Sequence, residues 1–248
     1  MLWLRSLLFN VYFWLTTAAC ALAFLALAPF VGRDTLARLI AGYARLVLAG
    51  LGGLCGIRLR LTGAEHLPRG GPALIAAKHQ SAYDTLVWLT LLPRCCYVLK
   101  AELLRIPAWG FLVQRTGHIA VDREAGAGAM RHLLRAGRDA AAAGRQIVIF
   151  PEGTRTAPGE RIPYQPGIVA LASATALPVI PVATDSGRCW ARRAFRKHPG
   201  VITIAVLPPL PAGLPKAALL ARLEDVNETE SAALLQDMQL ENARGAST

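Results

Sequence analysis

The chain is poor in lysine, in acids and in charge of any kind. Charged residues make up 17% of its 248 positions against 54% apolar ones, too few to coat a domain of that size with a well-solvated surface, so part of the chain belongs in lipid. Asp and Glu are scarce, 16 against 27 Lys and Arg, which leaves a formal charge of +11. That balance suits nucleic acid, an anionic membrane or phosphorylated substrates, and composition alone does not choose among them. Lysine occurs only at 78, 100, 197 and 216, so nearly all the basic side chains are arginine. The cysteines at 20, 55, 95, 96 and 189 are odd in number and lack metal-ligand spacing, which favours packing roles in a reducing compartment. There is no G-x-S-x-G elbow for a serine hydrolase and no G-x-x-x-x-G-K-[ST] loop for a nucleotide enzyme; the glycines at 50, 52 and 53 sit in an apolar, helix-like stretch. Internal repeats, low-complexity tracts and interdomain linkers are also missing.

What is present begins with the N-terminus. From Ser6 to Gly32 no residue is charged, and a helix of about 27 residues is about 40 Å long, more than a hydrocarbon core requires. A cleaved signal peptide fits less well, because the apolar run continues past the small residues 18–23 through Phe24, Leu25 and Phe30. In the next stretch Leu36, Leu39, Ile40, Tyr43, Leu46, Val47 and Leu51 follow helical spacing while Asp34, Arg38 and Arg45 share the other face, the pattern of an interfacial helix. Arg33, Arg38, Arg45, Arg58 and Arg60 all come after the apolar segment, an excess that predicts a cytoplasmic placement for the remainder of the chain, at an inner membrane. The expected division is a membrane-associated helical segment over 1–56 and an α/β domain over 57–248.

Past residue 56, short apolar runs alternate with helical patterns. Strands are expected near 57–61, 73–77, 96–99, 118–121, 146–150, 179–182 and 201–207, and helices near 82–92, 108–115, 125–143, 167–176 and 216–240. Such alternation predicts an α/β fold, a largely parallel sheet flanked by helices. Four polar clusters then come directly after strands: Lys78-His79, Lys100, Asp122-Arg123 and Pro151 to Arg155. In a parallel sheet, ligands bind beyond the strand C-termini, so the four clusters converge on one edge.

Two of these clusters carry chemistry. In His79-Gln-Ser-Ala-Tyr-Asp84 the Ser81-x-x-Asp84 pattern predicts a capped helix with Ser81 as N-cap. Helical side chains lean toward the N-terminus, so Asp84 is expected to point back at His79 and fix its tautomer, leaving the second ring nitrogen as a base. Read alone, this spacing is far more often that of a helix cap beside a surface histidine. In Phe150-Pro-Glu-Gly-Thr-Arg155, Pro151 ends a strand, Gly153 permits close backbone approach and Arg155 offers a fork that matches phosphate oxygens. Glu152 is expected to hold that arginine or to accept a ligand hydroxyl.

With these blocks in place the chain resembles the glycerolipid acyltransferases, specifically the 1-acyl-sn-glycerol-3-phosphate acyltransferases. His79 to Asp84 match the first family block, Gly117 to Arg123 the second, Phe150 to Arg155 the third and Val179-Ile-Pro-Val182 the fourth, in order over roughly 72–207. The resemblance implies His79 as general base on a lyso-lipid hydroxyl, Asp84 as its orienting partner, and Glu152, Gly153, Thr154 and Arg155 around the acceptor phosphate. Arg123 and Lys100 are implied as secondary phosphate contacts. It implies further a thioester donor on coenzyme A or acyl carrier protein, no cofactor, metal or acyl-enzyme, no nucleic acid, and an N-terminal helical pair embedded in the membrane. Lys78 stands where many members have Asn, an extra cation expected to disfavour the imidazolium of His79. Gln165 and Thr184 also depart from the usual residues.

Two alternatives stand beside this reading: an acyltransferase for another lyso-lipid, such as lyso-ornithine lipid or a lysophospholipid, and a noncatalytic, membrane-tethered basic binding protein. The strongest basic patch is the loop Ser186 to Lys197, whose cations around Trp190 and Phe195 are expected to meet an anionic membrane surface.

Overall fold

The computed structural model describes residues 1–245. Two helices lead, α1 (Leu2–Leu27) and α2 (Arg33–Cys55), followed by β1 (Ile57–Thr62), β2 (Ala73–Ala77), α3 (Tyr83–Leu91), β3 (Cys95–Lys100), α4 (Trp109–Thr116) and β4 (Ile119–Val121). The chain continues through α5 (Ala127–Ala142), β5 (Gln146–Ile149), α6 (Gly167–Thr175), β6 (Val179–Thr184), the single turn α7 (Ser186–Cys189), β7 (Gly200–Val206) and α8 (Lys216–Gly245). The seven strands form one sheet in the order β1-β7-β6-β2-β5-β3-β4. Every pairing is parallel except β6 with β7. The fold is the expected α/β architecture.

The central strands are buried on both faces, hence the apolar runs Ala73–Ala77 in β2 and 147–149 in β5. Alternation along β2 divides its side chains between two cores. Ala73, Ile75 and Ala77 join Phe9, Val47, Leu51 and Trp88 on the face of α1, α2 and α3. Leu74 and Ala76 join Leu133, Ile168 and Leu223 on the face of α5, α6 and α8. The outer strands are protected differently: β4 is three residues long, and β1 exposes Arg58 and Arg60.

The helices α1 and α2 form an antiparallel hairpin. Arg5 Nε donates to Leu54 O at 2.7 Å, the Tyr12 hydroxyl to Leu46 O at 2.8 Å, and the Thr17 and Tyr43 hydroxyls meet at 2.8 Å. Gly56, at φ 69°, ends α2 in a left-handed cap that turns the chain into β1. Both helices are long and apolar enough to cross a membrane. Yet both ends of the hairpin are tied to the domain: near its start Lys197 N donates to the Ser6 hydroxyl at 3.0 Å, and at its tip Arg115 Nη2 donates to Ala28 O at 2.7 Å. The hairpin therefore lies along the domain instead of projecting from it, with Trp3, Leu8, Trp14, Leu15 and Leu22 exposed on α1.

The loop after α7 corrects its sequence reading. Trp190 is buried, meeting Phe9 edge-on at 5.4 Å and Phe13 at 6.0 Å. Lys197 is buried as well, its Nζ capped by Asn10 Oδ1 at 2.8 Å and by two carbonyls while lying over the Trp190 ring. Neither is available to a membrane surface, because both serve to seat α1. Phe9→Ala should therefore destabilise the protein by about 3–5 kcal/mol through a cavity at this seat. Trp14→Ala, at a side chain 67% exposed, should stay within about 0.5 kcal/mol. Chemical denaturation of both variants in one detergent reads the contrast, and equal losses would contradict this account of the anchor.

Candidate active site

The sheet order reverses around β2 and β5, and the loops that leave these strands face each other across the resulting crevice. Strand alternation decides what enters it. Continuing the pleat of β2, Lys78 falls on the α8 side with Leu74 and Ala76, and His79 falls on the α3 side with Ala73, Ile75 and Ala77.

The His79 backbone is gripped from both ends by the loop after β5. Its N–H donates to Glu152 Oε2 at 2.7 Å, and its carbonyl accepts from Thr156 N at 2.8 Å. The ring stacks on Phe150, with centroids 4.0 Å apart and planes inclined by 17°. Asp84 Oδ2 lies 3.0 Å from His79 Nδ1 and accepts the backbone N–H groups of Gln80 and Ser81 at 2.8 Å each. The carboxylate is buried and positioned by the start of α3, whose N-cap is Ala82, one residue beyond the expected Ser81; the Ser81 hydroxyl instead accepts from Tyr83 N. An ionised carboxylate can only accept, so Nδ1 carries the proton and Nε2 keeps its lone pair.

A cavity of about 510 Å³ opens beside His79. Its inner part is apolar and reaches the hairpin at Thr17, Cys20, Phe24, Ile40 and Tyr43. Its other part carries Lys100, Arg123, Arg155, Arg192 and Arg193, together with Gly153 and Thr154. A second histidine, His118, also borders it, but desolvation by the surrounding protein drives its pKa down to about 3, with Arg145 adding to the fall. His118 Nδ1 accepts from Tyr97 N at 2.9 Å, so the neutral ring has its proton on Nε2 and no lone pair to offer. Of the two imidazoles, only His79 is arranged as a base. Around Arg155, burial lowers the guanidinium pKa, Asp84 opposes the shift and Arg192 adds to it. Gly153, at φ 71°, lets Arg123 lie against the loop and donate to the Gly153 carbonyl at 3.1 Å; a Cβ there would meet Arg123 Nη1 at 2.6 Å.

Of the residues expected at the site, His79, Gly153, Thr154, Arg155, Arg123 and Lys100 line the cavity, and Asp84 lies behind His79. Glu152 does not reach the cavity and forms no ion pair with Arg155 among the described residues. Its side chain is fully buried, turned to the α8 side, where Oε1 accepts from Lys78 Nζ and the Thr156 hydroxyl, both at 2.8 Å. Lys78 is likewise no neighbour of the His79 ring: its ammonium lies 2.6 Å from Glu228 Oε1 on α8 and donates to Glu160 O at 3.3 Å. The one-residue alternation that separates Lys78 from His79 was readable from the strand pattern. Glu228 was signalled more faintly, by the polar Asn227, Glu228 and Ser231 on the buried stripe that Leu219 and Leu223 begin. Thr156 and the cavity-facing Arg192 and Arg193 had no such signal, since only loop geometry brings them in.

The chain matches the family model described as Acyltransferase over residues 58–185. It is 34% identical over 159 residues to the 1-acyl-sn-glycerol-3-phosphate acyltransferase of Pseudomonas aeruginosa, covering 64% of this chain and 62% of that protein. It is 32% identical over 171 residues to the 1-acyl-sn-glycerol-3-phosphate acyltransferase alpha of Homo sapiens, covering 67% and 60%. The chain thus matches somewhat under two thirds of the length of these relatives. Among solved structures it resembles that of the 1-acyl-sn-glycerophosphate acyltransferase of Thermotoga maritima, with a TM-score of 0.78 over 94% of this chain and 98% of that one. At 20% sequence identity this likeness is one of fold.

The buried charges yield a test. Burial pushes the Glu152 carboxyl above its ordinary range, and Lys78 opposes the shift. A carboxyl raised in the folded state binds protons more readily there than in the unfolded chain. Its contribution to stability is therefore present at low pH and is lost as pH rises through the raised value. Lys78→Met leaves Glu152 and Glu228 buried without their shared cation and should cost about 3–5 kcal/mol at neutral pH. The deficit should shrink as the buffer is made mildly acidic. Denaturation at a series of pH values measures this, and a deficit independent of pH would exclude the carboxylates as its source.

Proposed function

The chain belongs to the acyltransferase family, and on that footing we propose that it transfers an acyl group from a thioester to the free sn-2 hydroxyl of 1-acyl-sn-glycerol-3-phosphate, giving phosphatidic acid for phospholipid synthesis. The observation that carries the reading is one junction: the His79 imidazole, its Nδ1 held by buried Asp84, borders a cavity that is apolar toward the hairpin and cationic beside Arg155. A hydrocarbon chain and a phosphate are the two ends of such a substrate.

In this mechanism His79 Nε2 takes the hydroxyl proton as the oxygen attacks the thioester carbonyl, and Asp84 stabilises the imidazolium that forms. The new C–O bond forms, the C–S bond breaks, and the departing thiolate recovers the proton from His79. Arg155 would hold the acceptor phosphate, with Arg123 and Lys100 contributing charge and the Thr154 hydroxyl and Gly153 backbone shaping the pocket. Glu152 would act by fixing the His79 main chain. The transfer as written needs no metal, no cofactor and no acyl-enzyme; the donor would be acyl-CoA or acyl carrier protein.

The setting would be the inner membrane, with the domain on its cytoplasmic, anionic face. Support comes from the apolar residues exposed along α1 and from the arginines that come after it. Because the same hairpin walls the cavity, a lyso-lipid could enter from the bilayer without its tail crossing water.

His79→Ala should cost about 10²- to 10⁴-fold in kcat in a folded protein, and Asp84→Asn should also impair turnover. Arg155→Ala should chiefly raise the acceptor KM, with Arg155→Lys a poor rescue because the bidentate fork is lost. Detergent-purified protein assayed against lysophosphatidate, lyso-ornithine lipid and a lysophospholipid side by side tests both points. Preference for an acceptor without a phosphate monoester, or near wild-type turnover by His79→Ala, would refute the reading.

A further inference from the structure

We infer that Arg192 and Arg193 form a second anion subsite, one that takes the phosphates of a coenzyme A thioester. The inference rests on the proposed acyl transfer at His79 and adds the class of donor.

Charge supplies the first observation. Lys100, Arg123, Arg155, Arg192 and Arg193 all line one cavity, and among the described residues none of them forms an ion pair. A phosphate monoester brings about 1.5 to 2 negative charges at neutral pH. Five unpaired cations exceed what one such acceptor would neutralise.

Placement supplies the second. The sheet order sets β6 on one side of β2 and the strands β5, β3 and β4 on the other. Arg155, Lys100 and Arg123 come from loops after β5, β3 and β4. Arg192 and Arg193 come from the loop beyond β6 and α7, from the other side of β2 in the strand order, and meet the first group where Arg192 lies beside Arg155. A reaction that joins two phosphate-bearing substrates at one base calls for cations enough for both, and this separate loop supplies the second set.

The loop is also built and held. Arg193 has φ 58°, a left-handed conformation that an L-residue adopts only where its surroundings impose it. Here Ala194 N closes a turn onto Ala191 O at 3.1 Å, buried Trp190 anchors one end, and buried Lys197 caps the carbonyls of Ala194 and Phe195 at the other. Arg192 Nη1 reaches the Arg155 carbonyl at 3.3 Å, tying the loop to the segment that carries the acceptor cation. Two adjacent guanidinium forks match a diphosphate, whose oxygens they can engage in pairs. Coenzyme A carries a diphosphate and a further phosphate on its ribose. A carrier-protein arm offers a single phosphodiester.

The test begins with binding. Coenzyme A titrated calorimetrically into the full-length protein in detergent should bind the Arg192→Gln/Arg193→Gln variant about tenfold or more weakly than wild type, and the wild-type affinity should fall with added salt. Arg193→Gly removes the guanidinium while relieving the left-handed backbone, so it should show a similar loss without any question of misfolding. In turnover, KM for palmitoyl-CoA should rise by about as much as the affinity falls, while KM for S-palmitoyl pantetheine, which has the thioester but no phosphate, should change by less than about twofold. Equal losses with both donors would assign the loop a structural role and overturn the inference. So would a rise confined to the acceptor KM, or a defect seen only with acyl carrier protein. The titration contains no acceptor, so weak wild-type binding of coenzyme A refutes the subsite, whereas an unexpected acceptor in the side-by-side assay refutes only the lysophosphatidate reading.

Discussion

One buried ammonium underlies the geometry of the site. Lys78 Nζ sits within 2.8 Å of Glu152 and 2.6 Å of Glu228, and all three groups lie away from water. Burying such charges is costly, and the arrangement survives because each charge meets an opposite partner and further hydrogen bonds. Its consequence lies on the other side of the sheet. Glu152 spends one oxygen on Lys78 and the other on the His79 N–H, so the position of the imidazole is set by an ion cluster that never touches the cavity. Through Glu228 the same cluster draws α8, the last of the described helices, into support of the site. Arg161, 3.9 Å from Glu228, adds a second cation at its rim.

The hairpin serves two surfaces at once. Outward it exposes tryptophans and leucines, and inward it closes the apolar part of the cavity with Thr17, Cys20, Phe24 and Tyr43. Phe9, seated against Trp190, joins it to the same apolar cluster as β2 and α3. Membrane attachment and the shape of the chamber therefore depend on the same two helices. The loop after α7 links these functions. Its buried Trp190 and Lys197 seat α1, while its exposed Arg192 and Arg193 face the cavity.

Much of the fold was legible because parallel sheets write themselves plainly. Each central strand is buried on both faces and appears as an apolar run, so β2, β5 and β6 fell within a residue or two of their expected bounds. The convergence of His79, Lys100, Arg123 and Arg155 came from the rule that ligands gather beyond strand C-termini. Glu152 misled because a carboxylate between Phe150 and Gly153, which both line the cavity, looks like a site residue in one dimension. The turn that Gly153 N closes onto Phe150 O carries its side chain to the opposite face. Trp190 and Lys197 misled for a related reason, since a basic, aromatic loop has the composition of a membrane-surface segment whether or not its large side chains turn inward.

Determined by sequence alone were the strand-helix alternation, the apolar N-terminus and the pairing of His79 with Asp84. These depend on local periodicity and on contacts a few residues apart, which spacing specifies. The tertiary structure alone decided that Lys78 and Glu152 brace His79 from behind, that Glu228 joins them from 150 residues away along the chain, and that Arg192 and Arg193 enter the cavity. Long-range contacts of this kind are fixed by strand order and by which face each loop meets, and neither quantity is encoded in the spacing of neighbouring residues.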